Sequence, residues 1–119
     1  MFDYSTASRD QKEEFLQDKI LICLQNTQQP MTNAQIRDHL LKNVNELPAN
    51  VTKLTTSRKG TLYSEFQIRV NMAITSLYKG GIVDHPKRGV TELTQLGKNI
   101  NLDTNRNQIH KLIAEGWQK

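Results

Sequence analysis

The chain has 119 residues, a formal net charge of +4, 36% hydrophobic and 24% charged residues, which suits one compact domain. No apolar run approaches the roughly 18 residues of a membrane span, and the N-terminus lacks the apolar segment of a secretory signal, so neither membrane insertion nor secretion is expected. The single cysteine, Cys23, excludes an intramolecular disulfide, and a cytoplasmic location is expected.

Positive charge is concentrated in the middle of the chain. Residues 1–30 carry three Lys and Arg against five Asp and Glu, a net charge of −2. Residues 31–98 carry ten Lys and Arg against five Asp and Glu, a net charge of +5. A mildly basic balance is by itself weak evidence for a polyanionic partner, and its position in the chain is more informative.

Two helices are predicted after a flexible tail over residues 1–9. The first, from about residue 10 to 26, has apolar residues at helical spacing: Phe15, Leu16, Ile20, Cys23 and Leu24. Cys23 lies on this stripe and is interpreted as a small core residue rather than a reactive thiol. The second helix, about 33 to 43, begins with the capping box Thr32-Asn33-Ala34-Gln35.

The third predicted helix is the strongest and runs from about Tyr63 to Lys79. It follows a non-periodic stretch, with a short helical turn expected after Pro48 and an exposed basic loop over residues 55–60. A second capping-box pattern, residues 64–67, opens it, and Gly80-Gly81 ends it in the manner of a left-handed C-cap. Its predicted buried stripe is Phe66, Val70, Ala73, Ile74 and Leu77.

A β-hairpin and two helices complete the pattern. Residues 82–85 and 90–93 read as short strands around the turn 86–89. Thr94 is predicted to cap a short helix, and Asp103 or Thr104 a last one, with Ile109, Leu112 and Ile113 inward and Trp117 closing over them. The predicted fold is mainly α with a small β-hairpin: a winged helix-turn-helix with an additional C-terminal helix. One domain is expected over residues 1–119, with a core at 10–98 and an extension at 99–119.

A block within residues 66–98 resembles a known family. A Phe-x-x-Arg-Val-x-x-Ala helix starts at Phe66, a Pro-x-Arg-Gly-Val wing starts at Pro86, and a Thr-x-x-Gly helix starts at Thr94. This pattern resembles the N-terminal winged-helix domain of Mrr-like, modification-dependent restriction endonucleases. The resemblance implies a DNA-binding module that usually precedes a metal-dependent nuclease domain. Met72 and Thr91 stand where the family often has aromatic residues.

Candidate DNA contacts follow from the winged-helix reading. Polar residues on the third helix are expected to reach base edges, and basic residues at the turns to contact phosphate. The predicted set is Arg58, Lys59, Tyr63, Ser64, Gln67, Asn71, Thr75, Lys87 and Arg88. The alternative for each helical residue is an ordinary solvated face, and for Lys87 and Arg88 a basic turn that protects the hairpin edge. Arg69 carries the family pattern, but it can equally brace the fold through a carboxylate such as Glu65.

No catalytic site, cofactor or metal site is expected. The three histidines lack zinc-ligand spacing, and no phosphate-binding loop or nucleophile elbow is present. The predicted function is therefore the DNA-binding module of a restriction system, recognising duplex DNA, modified DNA included, without catalysis in this chain. Its expected partners are double-stranded DNA and a downstream nuclease domain or subunit, and a homodimer is left open. The alternatives are a free-standing winged-helix transcriptional regulator and a protein-interaction module, the latter favoured by the apolar Ile68 and Met72.

Overall fold

The computed structural model describes residues 2–118; Met1 of the expected tail and Lys119 of the expected extension lie outside the described residues. The helices are α1 (Arg9–Thr27), α2 (Asn33–Asn43), α3 (Glu65–Lys79), α4 (Gln95–Asn99) and α5 (Leu102–Trp117). The strands are β1 (Met31–Thr32), β2 (Leu54–Thr56), β3 (Leu62–Ser64), β4 (Val83–Asp84) and β5 (Val90–Leu93). Among these residues, no helix is both long and apolar enough to cross a bilayer.

The main sheet joins the two halves of the chain. Strand β5 lies between β1 and β4, and both pairings are antiparallel, with Met31 opposite Thr91 and Val83 opposite Leu93. Because β1 lies between α1 and α2 whereas β4 and β5 follow α3, the sheet joins the α1–α2 connection to the wing. The predicted fold class is confirmed: a mainly helical, winged-helix-like arrangement with a small antiparallel sheet and a C-terminal helix.

The core forms where α1 packs against α3. All five residues of the predicted α3 stripe are buried, which confirms that stripe. Cys23 is 1% exposed on α1, as predicted for a core residue. Burial raises the pKa of the Cys23 thiol to about 11, so the thiol stays protonated and unreactive at neutral pH.

Local hydrogen bonds define the helix ends. The predicted capping box of α2 is present: the Thr32 hydroxyl accepts from the Gln35 N–H, and the Gln35 side chain accepts from the Thr32 N–H. At the end of α3, the Ile82 N–H donates to the Leu77 carbonyl and the Gly81 N–H to the Tyr78 carbonyl, both at 3.0 Å. This is a Schellman motif, and its left-handed residue is Gly81, at φ +76°.

Two segments differ from the sequence-based expectation near the N-terminus and at α5. Instead of a flexible tail, residues 4–6 form a 3-10 helix, and Tyr4 is only 5% exposed. The Phe2 ring stacks on Phe15 with the centroids 4.4 Å apart, so burial of aromatic rings orders this segment. The predicted caps of the last helix were wrong, because Asn101 caps α5 by accepting from the Asp103 N–H.

The connection between α2 and α3 also differs from the expected loop. Residues 54–64 form an antiparallel hairpin, with Thr55 opposite Tyr63, and α3 begins at Glu65 rather than at Tyr63. The strands contain threonine and tyrosine, which favour extended backbone, and Gly60 at φ +82° provides the turn. The molecule therefore carries two hairpins: the wing, residues 83–93, and this one, called the insert hairpin, residues 54–64.

Candidate nucleic-acid interface

The outward side of α3 carries the polar residues predicted to reach base edges. Gln67, Asn71 and Thr75 are four residues apart, so they share one face of the helix. Gln67 is exposed, whereas Asn71 and Thr75 are half-buried. Helix α3 therefore presents two amides and one hydroxyl along a single stripe.

Two of the three hydroxyl groups of the predicted set, those of Ser64 and Thr75, form hydrogen bonds with the backbone of α3. The Ser64 hydroxyl accepts from the Gln67 N–H at 3.1 Å and is the N-cap of the helix. The Thr75 hydroxyl donates to the Asn71 carbonyl at 3.0 Å. Because a hydroxyl has one proton, Thr75 cannot donate to a base at the same time. The amides of Gln67 and Asn71 are therefore the better candidates for base contacts.

Asn33, the first residue of α2, connects the wing to α3. Its N–H donates to the Gly89 carbonyl at 3.3 Å, and its side-chain Nδ2 donates to the Asn71 Oδ1 at 3.4 Å. A single residue, Asn33, therefore links the turn at 86–89 to the middle of α3. The buried Asn33 Oδ1 has no hydrogen-bond partner within residues 2–118. Sequence reasoning missed Asn33, since its only local signal is its place after the N-cap.

The tip of the wing is a tight turn that exposes two cations. The Val90 N–H donates to the Lys87 carbonyl at 3.1 Å, and Gly89 has φ +78°. Lys87 and Arg88 are both exposed in this turn. Directly before the turn, the His85 ring stacks on Tyr78 of α3, with the centroids 4.8 Å apart. The turn of the wing is thus held near α3 by two contacts, His85 on Tyr78 and the link through Asn33.

The insert hairpin has a second basic tip. The Gly60 N–H donates to the Ser57 carbonyl at 2.9 Å, which closes a turn that holds Arg58 and Lys59 in solvent. Tyr63 is half-buried. It belongs to β3 and not to the third helix, where the sequence had placed it. The insert hairpin therefore brings Arg58 and Lys59 together on one turn, beyond the N-terminal end of α3.

The cations at the two tips are not neutralised by carboxylates. None of Arg58, Lys59, Lys87 and Arg88 forms an ion pair with any residue in the range 2–118. The one acidic residue of α3, Glu65, lies 3.7 Å from the Lys12 ammonium, which offsets its charge. Both tips are therefore positively charged and solvent-exposed, as a surface for a polyanion requires.

A family comparison matches residues 14–101 to the Mrr N-terminal domain, about three quarters of the chain. The chain belongs to the Mrr N-terminal domain family. No curated protein and no solved structure matches it. Membership in this family associates the chain with restriction systems, and the match is to an N-terminal domain rather than to a nuclease.

In this Mrr N-terminal domain, Arg69 braces α3 against α1. Its Nη1 lies 3.9 Å from the Glu13 Oε1, and the two side chains are only 14% and 20% exposed. The partner anticipated from sequence, Glu65, pairs with Lys12 instead. Since its side chain is largely covered and faces Glu13 of α1, Arg69 has a structural role in the Phe-x-x-Arg pattern.

Replacing Arg69 with alanine is expected to lower the free energy of unfolding by about 1–2 kcal/mol. Glu13 loses its partner, but the substitution also removes the buried Arg69 Nε and Nη1, which have no hydrogen-bond partner within residues 2–118. Urea denaturation measures this loss. In the fraction that remains folded, affinity for duplex DNA should match that of the wild type. A stable variant with weakened DNA binding would contradict the bracing role.

The residues that the structure describes contain no candidate metal site. Within residues 2–118, no three His, Cys, Asp or Glu side chains are grouped so that they could hold a metal ion.

Proposed function

We propose that this chain is the DNA-recognition module of a restriction system and that it binds duplex DNA, modified DNA included, through α3 and the basic wing. The observation that carries this proposal is the contact path from Gly89 through Asn33 to Asn71. It supports a single surface on which the basic turn and the polar stripe of α3 meet the same ligand. The family association with restriction systems is the second support.

In the proposed complex, the two kinds of side chain have different roles. Lys87 and Arg88 contact phosphates and set the register of the protein on the duplex, without reading sequence. Gln67 and Asn71 approach base edges in the major groove, where a side-chain amide can form two hydrogen bonds with one adenine. The Asn71 Oδ1 accepts one hydrogen bond from Asn33 and keeps a second lone pair, so its oxygen and its amino group can both bind a base.

Cleavage is assigned to a nuclease domain or subunit that acts together with this module. The partners we propose are thus double-stranded DNA and that nuclease, and a homodimer would present two such surfaces to one duplex. Analytical ultracentrifugation with and without duplex DNA measures the stoichiometry.

The function predicts a strong salt dependence of binding. With about four to six phosphate contacts, the association constant should fall by roughly two to three decades between 50 and 200 mM salt. Fluorescence anisotropy on a labelled duplex of about 20 base pairs measures this slope. Affinity that does not change with salt, or no binding at 50 mM salt, would contradict the proposed function.

A protein-interaction module is the second candidate, and one observation favours it. Ile68 is 39% exposed on α3, where a solvated helix more commonly has a polar residue, and the neighbouring Met72 is half-buried. An apolar partner surface would cover Ile68 and be insensitive to the charge of the wing. Reversing the charges of Lys87 and Arg88 separates the two functions, because it should weaken DNA binding and leave an apolar protein interface unaffected.

A further inference from the structure

The insert hairpin contributes little to the core of the protein. All three residues of β2 are exposed, and Leu54 and Leu62 are 54% and 62% exposed. The chain just before the hairpin packs against the core instead, through Leu47 and Val51. A two-stranded ribbon is only marginally stable in water, and one that leaves two leucines in solvent gains little by folding. This combination indicates a surface built for a partner.

The strand register places both leucines on one face. Leu54 lies opposite Ser64 and Leu62 opposite Thr56, so Leu54 and Leu62 are diagonal neighbours on one side of the ribbon. Thr55 and Tyr63 lie on the other side. The hairpin therefore carries both exposed leucines on one face, which Thr56 and Ser64 share, next to its basic tip.

The positive charge of the insert hairpin and of the residues just before it favours an anionic partner. Residues 47–64 contain Lys53, Arg58 and Lys59 and no Asp or Glu. A ligand that combines regularly spaced phosphates with apolar deoxyribose rings suits both the cations and the leucine face. Duplex DNA is such a ligand.

The hairpin also stands at a suitable place along α3. Ser64 is both the last residue of β3 and the N-cap of α3, so the base of the hairpin lies at the start of the helix. Asn71, which is linked to the wing, follows seven residues later, about 10 Å along the helix axis. A duplex lying along α3 would meet one basic hairpin near each of these two points.

We propose that the insert hairpin is a second wing: Arg58 and Lys59 contact phosphates, and Leu62 packs against deoxyribose rings beside the bases that α3 reads. This inference rests on the proposed function, and it adds a binding element and an apolar contact to it.

The test is anisotropy titration of a labelled 20-base-pair duplex at several salt concentrations with two variants. Arg58→Gln with Lys59→Gln removes two phosphate contacts, so affinity should fall and the salt slope should decrease by about 1.8. Leu62→Thr should lower affinity about five- to tenfold with an unchanged slope, because an apolar contact releases no counterions. Threonine retains the strand propensity of the position.

The matched controls lie outside both hairpins. Leu41→Thr changes a leucine that is 40% exposed on α2, and Lys98→Gln with Lys111→Gln removes two exposed cations from α4 and α5. These variants should bind like the wild type at each salt concentration. Circular dichroism and thermal unfolding establish that every variant is folded.

The outcomes separate this inference from the proposed function. If both hairpin variants bind like their controls while reversing the wing charges abolishes binding, the second wing is overturned and the proposed function stands. If only Leu62→Thr matches its control, the apolar contact is overturned. If the wild type does not bind duplex DNA at 50 mM salt, the proposed function and the second wing fail together.

Discussion

Reversing both charges of the wing tip, Lys87→Glu with Arg88→Glu, is expected to weaken duplex DNA binding by two orders of magnitude or more at about 100 mM salt. Each residue loses a charge-assisted contact worth about 1.5–3 kcal/mol, and each glutamate adds repulsion from phosphate. Both side chains are exposed and form no ion pair with residues 2–118, so the fold should be unaffected. Fluorescence anisotropy measures the loss.

The control for this variant applies the same change in net charge elsewhere. Lys98→Glu with Lys111→Glu places two carboxylates on α4 and α5, outside the candidate interface. This control should lose affinity only by the weak, long-range effect of net charge, which screening limits. Equal affinities of the two double variants would argue against a DNA-binding wing and favour the protein-interaction function.

Gly97→Ala is expected to destabilise the protein by about 3 kcal/mol, the upper range for overpacking. A Cβ on Gly97 would collide with the backbone carbonyl oxygen of Ile82, which cannot rotate away. The Gly97 carbonyl also accepts from the Gln25 side chain at 3.1 Å, so a shift of α4 would strain that bond to α1. Because glycine to alanine in an open helix stabilises by up to about 1 kcal/mol, the sign of the effect is informative.

Urea denaturation of Gly97→Ala measures this effect beside Lys98→Ala. Lys98 is the next residue of α4 and is exposed, so its truncation should change the free energy of unfolding by less than about 0.5 kcal/mol. A Gly97→Ala variant as stable as the wild type would mean that α4 does not approach Ile82 closely in solution. The Thr-x-x-Gly pattern would then need another explanation.

The elements that sequence reasoning predicted well have local causes. The α3 stripe from Phe66 to Leu77 follows from helical spacing, and Thr32 and Thr94 cap their helices with their own side chains. The wing was recognisable because apolar strand residues flank a turn that contains Gly89. The DNA contacts assigned to these elements stay predictions.

The insert hairpin was missed because its two strands have three residues each and no buried face that would produce alternation. The usable signals were the threonines on either side of Ser57–Gly60 and the glycine at the end of the turn. The tail was misread because Phe2 and Tyr4 lie in a polar segment, and only the packing of Phe15 against them shows their burial.

By itself, the sequence determined where most helices begin and end, the position of the wing, the basic character of both tips and the family. Backbone hydrogen bonds, caps and helical periodicity act over a few residues, so a linear pattern contains them. Only the tertiary structure decided that Arg69 pairs with Glu13, that Asn33 joins Gly89 to Asn71, and that Gly97 lies against Ile82. Such contacts join residues far apart in the chain, and their geometry depends on how the helices and the sheet pack together.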